Sequence, residues 1–294
     1  CAVWACQAAA EPANGSFELS DFNDATLFLD PVNWHTENYV TVAQGFIPNE
    51  FSGNKTNWRI NPTVGLQAFN GDWVLVLSSG DNNVGYAKAW QRLTLGAGDK
   101  LMGVFFFGTC DYRPWNDWAE IKLEPIDGNK PTIMVAFADI ELLGENFATL
   151  GGWTRFEYTL NEQQVGDYNL VMVVNDKDDQ QLESYLVVDS LMVCRNLDSN
   201  GPPAKGDFNC DCTVDNKDFA ILANDWQYDC NHPIMYPDGE NRPNYYDPNC
   251  HCLLGTDMTG VDVYGQGLVD YQDLLIFIDN WLVGVREEEQ FPPQ

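Results

Sequence analysis

The chain predicts a mainly β protein: an antiparallel β-sandwich over residues 11–196, followed by a small α-helical module over 207–285. Three observations carry this. Eight short segments between 72 and 193 are rich in β-branched and aromatic residues and are bounded by Gly, Asp or Pro, the pattern of strands joined by turns. From Asp207 the pattern changes to a loop of alternating oxygen-bearing side chains that runs into a helical stretch, and the pairing recurs over 269–281. Five of the nine cysteines crowd into 210–252, where burial alone would hold too little together.

A length of 294 residues suits two domains, and 45% hydrophobic with 13% aromatic content is ample for real cores. The charge balance is strongly acidic, 44 Asp and Glu against 15 Lys and Arg, a net charge of −29. Such a surface repels phosphate backbones and anionic membranes and favours divalent cations, so nucleic acid is not an expected partner. No run of about 18 apolar residues is present, so no membrane span is expected.

Taken in order, residues 1–10, with Cys1, Cys6 and a run of small residues to Ala10, read as the remnant of a secretory signal peptide, as a degenerate lipoprotein box, or as an N-terminal docking strand. The strand-like segments then follow at 72–78, 87–95, 101–107, 119–123, 132–138, 154–160, 168–174 and 185–193. Their number, with no long helical period among them, argues for two antiparallel sheets face to face. The opening Asn14-Gly15-Ser16-Phe17-Glu18 resembles the start of exported β-sandwich modules of the carbohydrate-binding or galactose-binding-like kind, and 166–174 and 184–191 are similar to the closing strands of jelly rolls. The resemblance implies that the last strand returns beside the first, with both domain ends at one edge, which would let Cys110 and Cys194 bridge.

Two loops carry the chemistry of this domain. Residues 109–118 place Asp111, Asn116 and Asp117 beside Tyr112, Trp115 and Trp118, and 175–179 form a second acidic turn. Three readings stand side by side. Asp111, Asn116 and Asp117 bind a structural calcium with help from the second turn; or Tyr112, Trp115 and Trp118 form a platform on which sugar rings stack; or the loop is a polar turn whose aromatics cap the core. Asn14 and Asn54 open N-glycosylation triplets, meaningful where the source glycosylates.

Residues 197–206 form a short Pro/Gly linker. Beyond it, Asp207, Asn209, Asp211, Asp215 and Asp218 fall at positions one, three, five, nine and twelve of a twelve-residue loop, with the carbonyl of Thr213 at seven and Val214 at the apolar eighth. Hard cations take this arrangement of oxygens, Ca²⁺ at about 2.3–2.6 Å. The loop resembles the calcium loop of the dockerin family, whose members place Asp at the twelfth position, omit the incoming helix and duplicate loop and helix; residues 269–281 repeat 214–226 almost position for position. The resemblance implies two EF-hand-type sites and an attachment role. In the second, Asp270 and Asp273 match, but Tyr264 and Gln266 stand at ligand positions after Asp262, so either a longer loop recruits Asp257, Thr259 or Asp262 or the site is weak or empty. The spacing of Phe219, Leu222 and Trp226 marks one helical face, and Leu222, Trp226, Phe277 and Trp281 either build the module's core or face a partner. Cys210, Cys212, Cys230, Cys250 and Cys252 read as disulfides of an exported chain in preference to zinc ligands, since Cys-x-Cys lacks the usual zinc spacing. Residues 286–294 read as a solvated acidic tail.

No Gly-x-Ser-x-Gly, His-Glu-x-x-His or phosphate loop occurs, and the three histidines are scattered, so no enzyme is expected. The sequence therefore points first to a secreted or cell-surface, calcium-stabilised structural or attachment protein, a subunit of an extracellular assembly or fibre with other protein subunits as partners. The alternative is a carbohydrate-binding accessory protein tethered to a polysaccharide-degrading complex, and a glycoside hydrolase or lyase comes third. Asp207→Ala or Asp211→Ala is expected to lower the melting temperature in calcium and to have little effect in chelator; equal losses in both would refute the loop as a site.

Overall fold

In a strand buried on one side, side chains alternate between core and surface, and Tyr86–Leu95 shows the rule: Ala87, Ala89, Leu93 and Leu95 are buried while Lys88, Trp90, Arg92 and Thr94 are not. The computed structural model describes residues 12–48, 53–61, 64–80, 84–177, 180–195, 206–208, 213–224, 226 and 269–282. The strands are β1 (Ser20–Asn23), β2 (Phe28–Pro31), β3 (His35–Glu37), β4 (Val40–Ala43), β5 (Val74–Ser78), β6 (Tyr86–Leu95), β7 (Lys100–Thr109), β8 (Trp118–Pro125), β9 (Ile133–Asp139), β10 (Thr154–Thr159), β11 (Gly166–Asn175) and β12 (Ser184–Cys194). One sheet runs β10-β7-β12-β5-β4 and the other β3-β6-β11-β8-β9, every pair antiparallel, with β1 and β2 as a separate hairpin.

The inward side chains of both sheets meet in one core that includes Leu75, Leu77, Leu93, Phe105, Phe107, Ile121, Leu170, Met172, Leu186 and Val188. The chain is thus an antiparallel β-sandwich. The first sheet is also apolar on its outer side. There Val74, Val76, Val104, Phe106, Tyr185 and Val187 pack against Phe46, Trp58, Ile60, Leu66 and Phe69 of a strap that crosses the sheet between β4 and β5.

All eight predicted strand segments are present as β5 to β12, whereas β1 to β4 are additional. Two expectations are corrected. The last predicted strand does return beside the first: β12 pairs with β5, and its Leu191 N–H donates to Gly15 O of the opening segment at 3.0 Å; what differs is that β12 has β7 on its other side, so that it lies inside the sheet instead of at its edge, with side chains buried on both faces. The bridge that this return was expected to allow is the other correction: Cys110 and Cys194 do not meet. Cys194 pairs with Lys100 at one end of β7, while Cys110 follows Thr109 at the other end, roughly 30 Å away at about 3.4 Å per residue. Cys194 is disulfide-bonded and Cys110, fully buried, carries no disulfide.

Three α-helices and a 3₁₀ turn (Glu162–Gln164) complete the described residues: α1 (Ile140–Leu143), α2 (Asn216–Asn224) and α3 (Tyr271–Asp279). Phe208, Val214, Leu222, Val269 and Phe277 form a small apolar cluster, and Leu282 N–H donates to Val214 O at 2.9 Å. Leu222 and Phe277 are therefore core residues, whereas Trp226 and Trp281 lie at the surface, as does Phe219. The predicted segments 1–10, 197–205 and 286–294, together with Cys210, Cys212, Cys230, Cys250 and Cys252, lie outside the described residues.

One buried carboxylate fastens the strap. Asp189, fully buried at a bulge in β12, accepts hydrogen bonds from the backbone N–H groups of Phe69 at 2.8 Å, Asn70 at 3.0 Å and Ser190 at 2.6 Å. Burial nevertheless pushes its pKa up to about 7, with Glu18 adding to the rise and the three N–H groups offsetting part of it. The folded chain therefore keeps this proton to about pH 7, whereas the unfolded chain releases it near pH 4. Between those values the unfolded state binds fewer protons, so stability falls as pH rises. Denaturation midpoints of the wild type are expected to fall from pH 4 to pH 7 and those of Asp189→Asn to fall less; parallel profiles would contradict the assignment.

Candidate functional site

Three carboxylates meet at one end of the sandwich. Asp111 follows β7, Asp117 precedes β8 and Asp176 follows β11, so adjacent strand ends deliver them to one point. One ligand oxygen from each lies within 4.8 Å of the others, and all three side chains are buried. Asp117 accepts from the Ser184 hydroxyl at 2.6 Å and the Lys177 N–H at 2.9 Å. Asp111 Oδ1 accepts from Tyr112 N–H at 2.7 Å and Asp176 Oδ1 from Gln180 N–H at 3.0 Å. Burial drives the Asp117 carboxyl up to about 8; the Ser184 and Lys177 bonds pull it down, and the neighbouring Asp176 and Asp111 push it up again. The geometry suits a hard divalent cation: an ion about 2.3–2.6 Å from each oxygen holds any two of them no more than about 5 Å apart.

Of the predicted trio, Asp111 and Asp117 are thus together and Asn116 is not. Its amide nitrogen donates to Asp139 at 2.9 Å and its oxygen accepts from Glu141 N–H at 3.0 Å, tying the loop to the start of α1. Asp176 takes the third place. Its position in an acidic turn is legible in the sequence, but only the pairing of β11 with β8 brings it beside Asp117.

The predicted aromatics do not share one platform by contact. Tyr112 packs on Phe147, ring centroids 5.6 Å apart, and keeps an exposed edge; Trp115 sits half-buried in a turn closed by its N–H to Tyr112 O at 3.0 Å. Trp118, half-buried, opens β8 on the outer side, opposite the core residue Ala119. Asn14 is engaged structurally, its side chain bonded to Leu19 and to Val32 O, while Asn54 is exposed. In the C-terminal module Asp218 accepts from Phe208 N–H at 2.7 Å and Asp215 N–H at 3.0 Å, and Asp273 accepts from Asp270 N–H at 2.9 Å. The duplicated loop ends are built alike: Asp215 Oδ1 accepts from Lys217 N–H as Asp270 Oδ1 does from Gln272 N–H. Asp207 is half-buried and Thr213 borders the same segment. Asn209, Asp211, Asp257 and Asp262 lie outside the described residues.

The feature that sequence reasoning missed is the outer face of the second sheet. Strand register lines up His35, Trp90, Val171, Lys122 and Met134 in one row, and Glu37, Lys88, Val173, Glu120 and Phe137 in the next. Tyr86, Asn175 and Trp118 form a third row further along. Val171, 0% exposed, and Val173, 8% exposed, belong to neither apolar cluster and are covered by the side chains on the flanking strands, which therefore make the open surface of this face. His35 stacks on Trp90 at 5.2 Å, and the Lys88 ammonium lies 5.1 Å from the Trp90 ring. Several charges on this face are paired: Arg92 with Asp167 at 2.7 Å, and Lys122 with both Glu120 and Glu124. Burial alone would lower the Lys122 pKa, but its two carboxylate partners outweigh that and raise it. Trp90 and Trp118 stand two strands and four residues apart, on the order of 16 Å by sheet spacing. The alternation of β6 and β8 carries the signal; what the sequence lacks is which face remains open.

No family model and no curated protein sequence matches the chain. Among solved structures it is similar to a family 61 carbohydrate-binding module in complex with β-1,4-galactotriose, with 14% identity, 62% of this chain and 96% of that one covered and a TM-score of 0.34. It is similar to the C-terminal family 22 carbohydrate-binding module of Clostridium thermocellum Xyn10B, with 11% identity, 62% and 95% covered and a TM-score of 0.29. It is also similar to a cyclase from Fischerella sp., with 12% identity, 61% and 92% covered and a TM-score of 0.33. Likenesses at this level carry no argument about ligand or activity, which rest on the geometry above.

Proposed function

We propose that the chain is an exported, non-catalytic glycan-binding protein whose ligand lies along the outer face of the second sheet. The single observation that carries this is the make-up of that face: half-buried indole rings at Trp90 and Trp118 and exposed Met134 and Phe137, set among paired, hydrogen-bonding Lys and Glu side chains. Aromatic rings suit the apolar faces of pyranose rings, and charged groups already paired on the sheet offer hydrogen bonds to hydroxyls. A spacing of roughly 16 Å suits an oligosaccharide better than a single sugar.

Hydrolysis fits the same face poorly. Glycosidases place two carboxylates across the scissile bond. Here Glu120 and Glu124 both close on the Lys122 ammonium, so each is paired with a cation instead of facing the other across open space. The disulfide at Cys194 favours an oxidising, extracytoplasmic location. The duplicated helical module, with Trp226 and Trp281 at its surface, suits the attachment role that its dockerin-like loops imply.

Calcium is the proposed ion at Asp111, Asp117 and Asp176, since an all-oxygen set of carboxylates matches a hard cation. The ion would remove the mutual repulsion of three buried carboxylates and fix the loop that leads into Trp118.

Two measurements test these assignments. Affinity electrophoresis and depletion on insoluble polysaccharides are expected to show retention that Trp90→Ala and Trp118→Ala each weaken about tenfold, the worth of roughly 1.4 kcal/mol; a double variant that binds as well as wild type sinks the reading. In the Asp207→Ala background, calcium at a hundredfold excess over Kd is expected to raise the melting temperature by about 5–10 °C, and Asp117→Asn to abolish most of that rise. An undiminished rise in Asp117→Asn would remove the ion from this cluster.

A further inference from the structure

The outer side of the first sheet is buried in a second region, away from the strap. Val104 and Phe106 of β7 point outward and lie under the strap; Lys100 and Met102 continue the same face to the start of the strand, beside Met192 and Cys194 of β12 and Arg155 and Glu157 of β10. Met102 is only 3% exposed and Cys194 2%, and they touch, Sδ to Sγ at 3.8 Å. Neither belongs to the core or to the cluster beneath the strap. Arg155 Nε is buried as well, with no hydrogen-bond partner among the described residues. Outward side chains buried in this way need a cover.

The chain supplies one. Cys194 ends β12 on this face and is disulfide-bonded, and since Cys110 carries no disulfide its partner is one of the seven other cysteines. Lys100, the ladder partner of Cys194, has its pKa lowered by burial, with Glu157 first and Asp207 after it acting in the opposite sense. The first residue of the predicted calcium loop thus stands within charge range of the strand end that carries Cys194. Cys210 and Cys212 follow Asp207 by three and five residues, a reach of roughly 10 and 17 Å. A disulfide asks for Cα atoms about 4.4–6.8 Å apart, which that reach permits. Charge agrees: the face presents Lys100 and Arg155, from a chain with only 15 basic residues, to a loop with Asp at 207, 211, 215 and 218.

We propose that the C-terminal module docks on this part of the first sheet, with Asp207 facing Lys100 and a disulfide joining Cys194 to Cys210 or Cys212, so that sandwich and module form one body. The functional consequence rests on the glycan-binding reading above. The outer side of the first sheet carries the module and the outer side of the second carries the ligand, so attachment and glycan binding occupy opposite faces and do not compete.

The test uses the full chain, expressed through an oxidising compartment. After free thiols are blocked it is digested without reduction, and linked peptides are identified by mass spectrometry. Cys194 is expected in a peptide joined to Cys210 or Cys212; a link to any other cysteine, or to a second chain, overturns the proposal. Amide ¹⁵N relaxation is expected to give α2 and α3 the same rotational correlation time as the sandwich strands, and Cys194→Ser with Lys100→Glu to shorten that of the helices by about half, as a smaller separate domain requires. Unchanged amide shifts in the two sheets away from Lys100 and Cys194 verify that the variant is folded. A module that tumbles apart in the wild type, or stays locked in the double variant, overturns the proposal as well. Neither measurement uses a glycan, so failed docking is distinguished from a failed glycan site, which the Trp90 and Trp118 variants report.

Discussion

Three buried carboxylates at one end of the sandwich set a constraint to which the neighbouring structure answers. Asp111, Asp117 and Asp176 stand where three strand ends converge, and bringing like charges out of water raises the free energy unless a proton, a donor or a cation compensates. Part of the compensation is built in: the Ser184 hydroxyl at the start of β12 and N–H groups of Tyr112, Lys177 and Gln180 all point at these oxygens. Because the donors come from the turns themselves, the arrangement fixes the turns as much as it satisfies the carboxylates. It also positions the open face. Trp118 directly follows Asp117, and Asn175, its partner in the ladder, directly precedes Asp176, so this edge of the outer face is anchored by the cluster. The carboxylate cluster and the outer face thus meet at one strand end.

How far the sequence revealed this depends on the type of signal. β5 to β12 are legible because a strand long enough to alternate, or long enough to be apolar throughout, leaves a pattern that local context cannot hide. β1 to β4 run three or four residues each, with exposed or half-buried Asp, Asn, His and Glu among them, too short for a period to emerge. The placement of β12 in the sheet centre is legible in its near-continuous apolar run, which an edge strand would not carry, and the resemblance to jelly-roll closing strands adds its pairing with the first predicted strand, β5. Asp111 and Asp117 are neighbours along the chain, so they could be paired by inspection. Asp176 needed the register of β11 against β8, and Trp90 needed the knowledge that the strap covers the other sheet. Nonlocal pairing is the information a single sequence holds least openly.

The two outer faces solve the same problem in opposite ways. An antiparallel sheet packs one side on the core and must do something with the other. On the first sheet the outer side is apolar, and covering it takes a strap of some thirty residues held by Asp189 and by Glu18, whose carboxylate accepts from the Asp72 and Trp73 N–H groups. The second sheet instead carries Lys, Arg, Glu and Asp in mutual pairs, which need no cover.

Paired charges by themselves are an ordinary solution for a solvated sheet, each pair worth little in stability, about 0–1 kcal/mol. What an ordinary solvated face does not require is the aromatic and aliphatic surface set among them. Trp90, Trp118, Phe137 and Met134 keep apolar area in water that folding could have buried, with Phe137 42% and Met134 47% exposed. On a protein whose other sheet recruits a long strap to hide just such surface, leaving it open on this one is the departure that calls for a partner. The chemistry of the proposed partner follows from the same residues. A purely apolar partner would leave Lys122, Glu120 and Arg92 desolvated, and a polyanion would have to break the Arg92–Asp167 and Lys122–Glu124 pairs and approach a chain of net charge −29. An uncharged, hydroxyl-bearing chain with flat apolar patches meets the rings and the paired charges at once, and among ligand classes that description fits a neutral glycan.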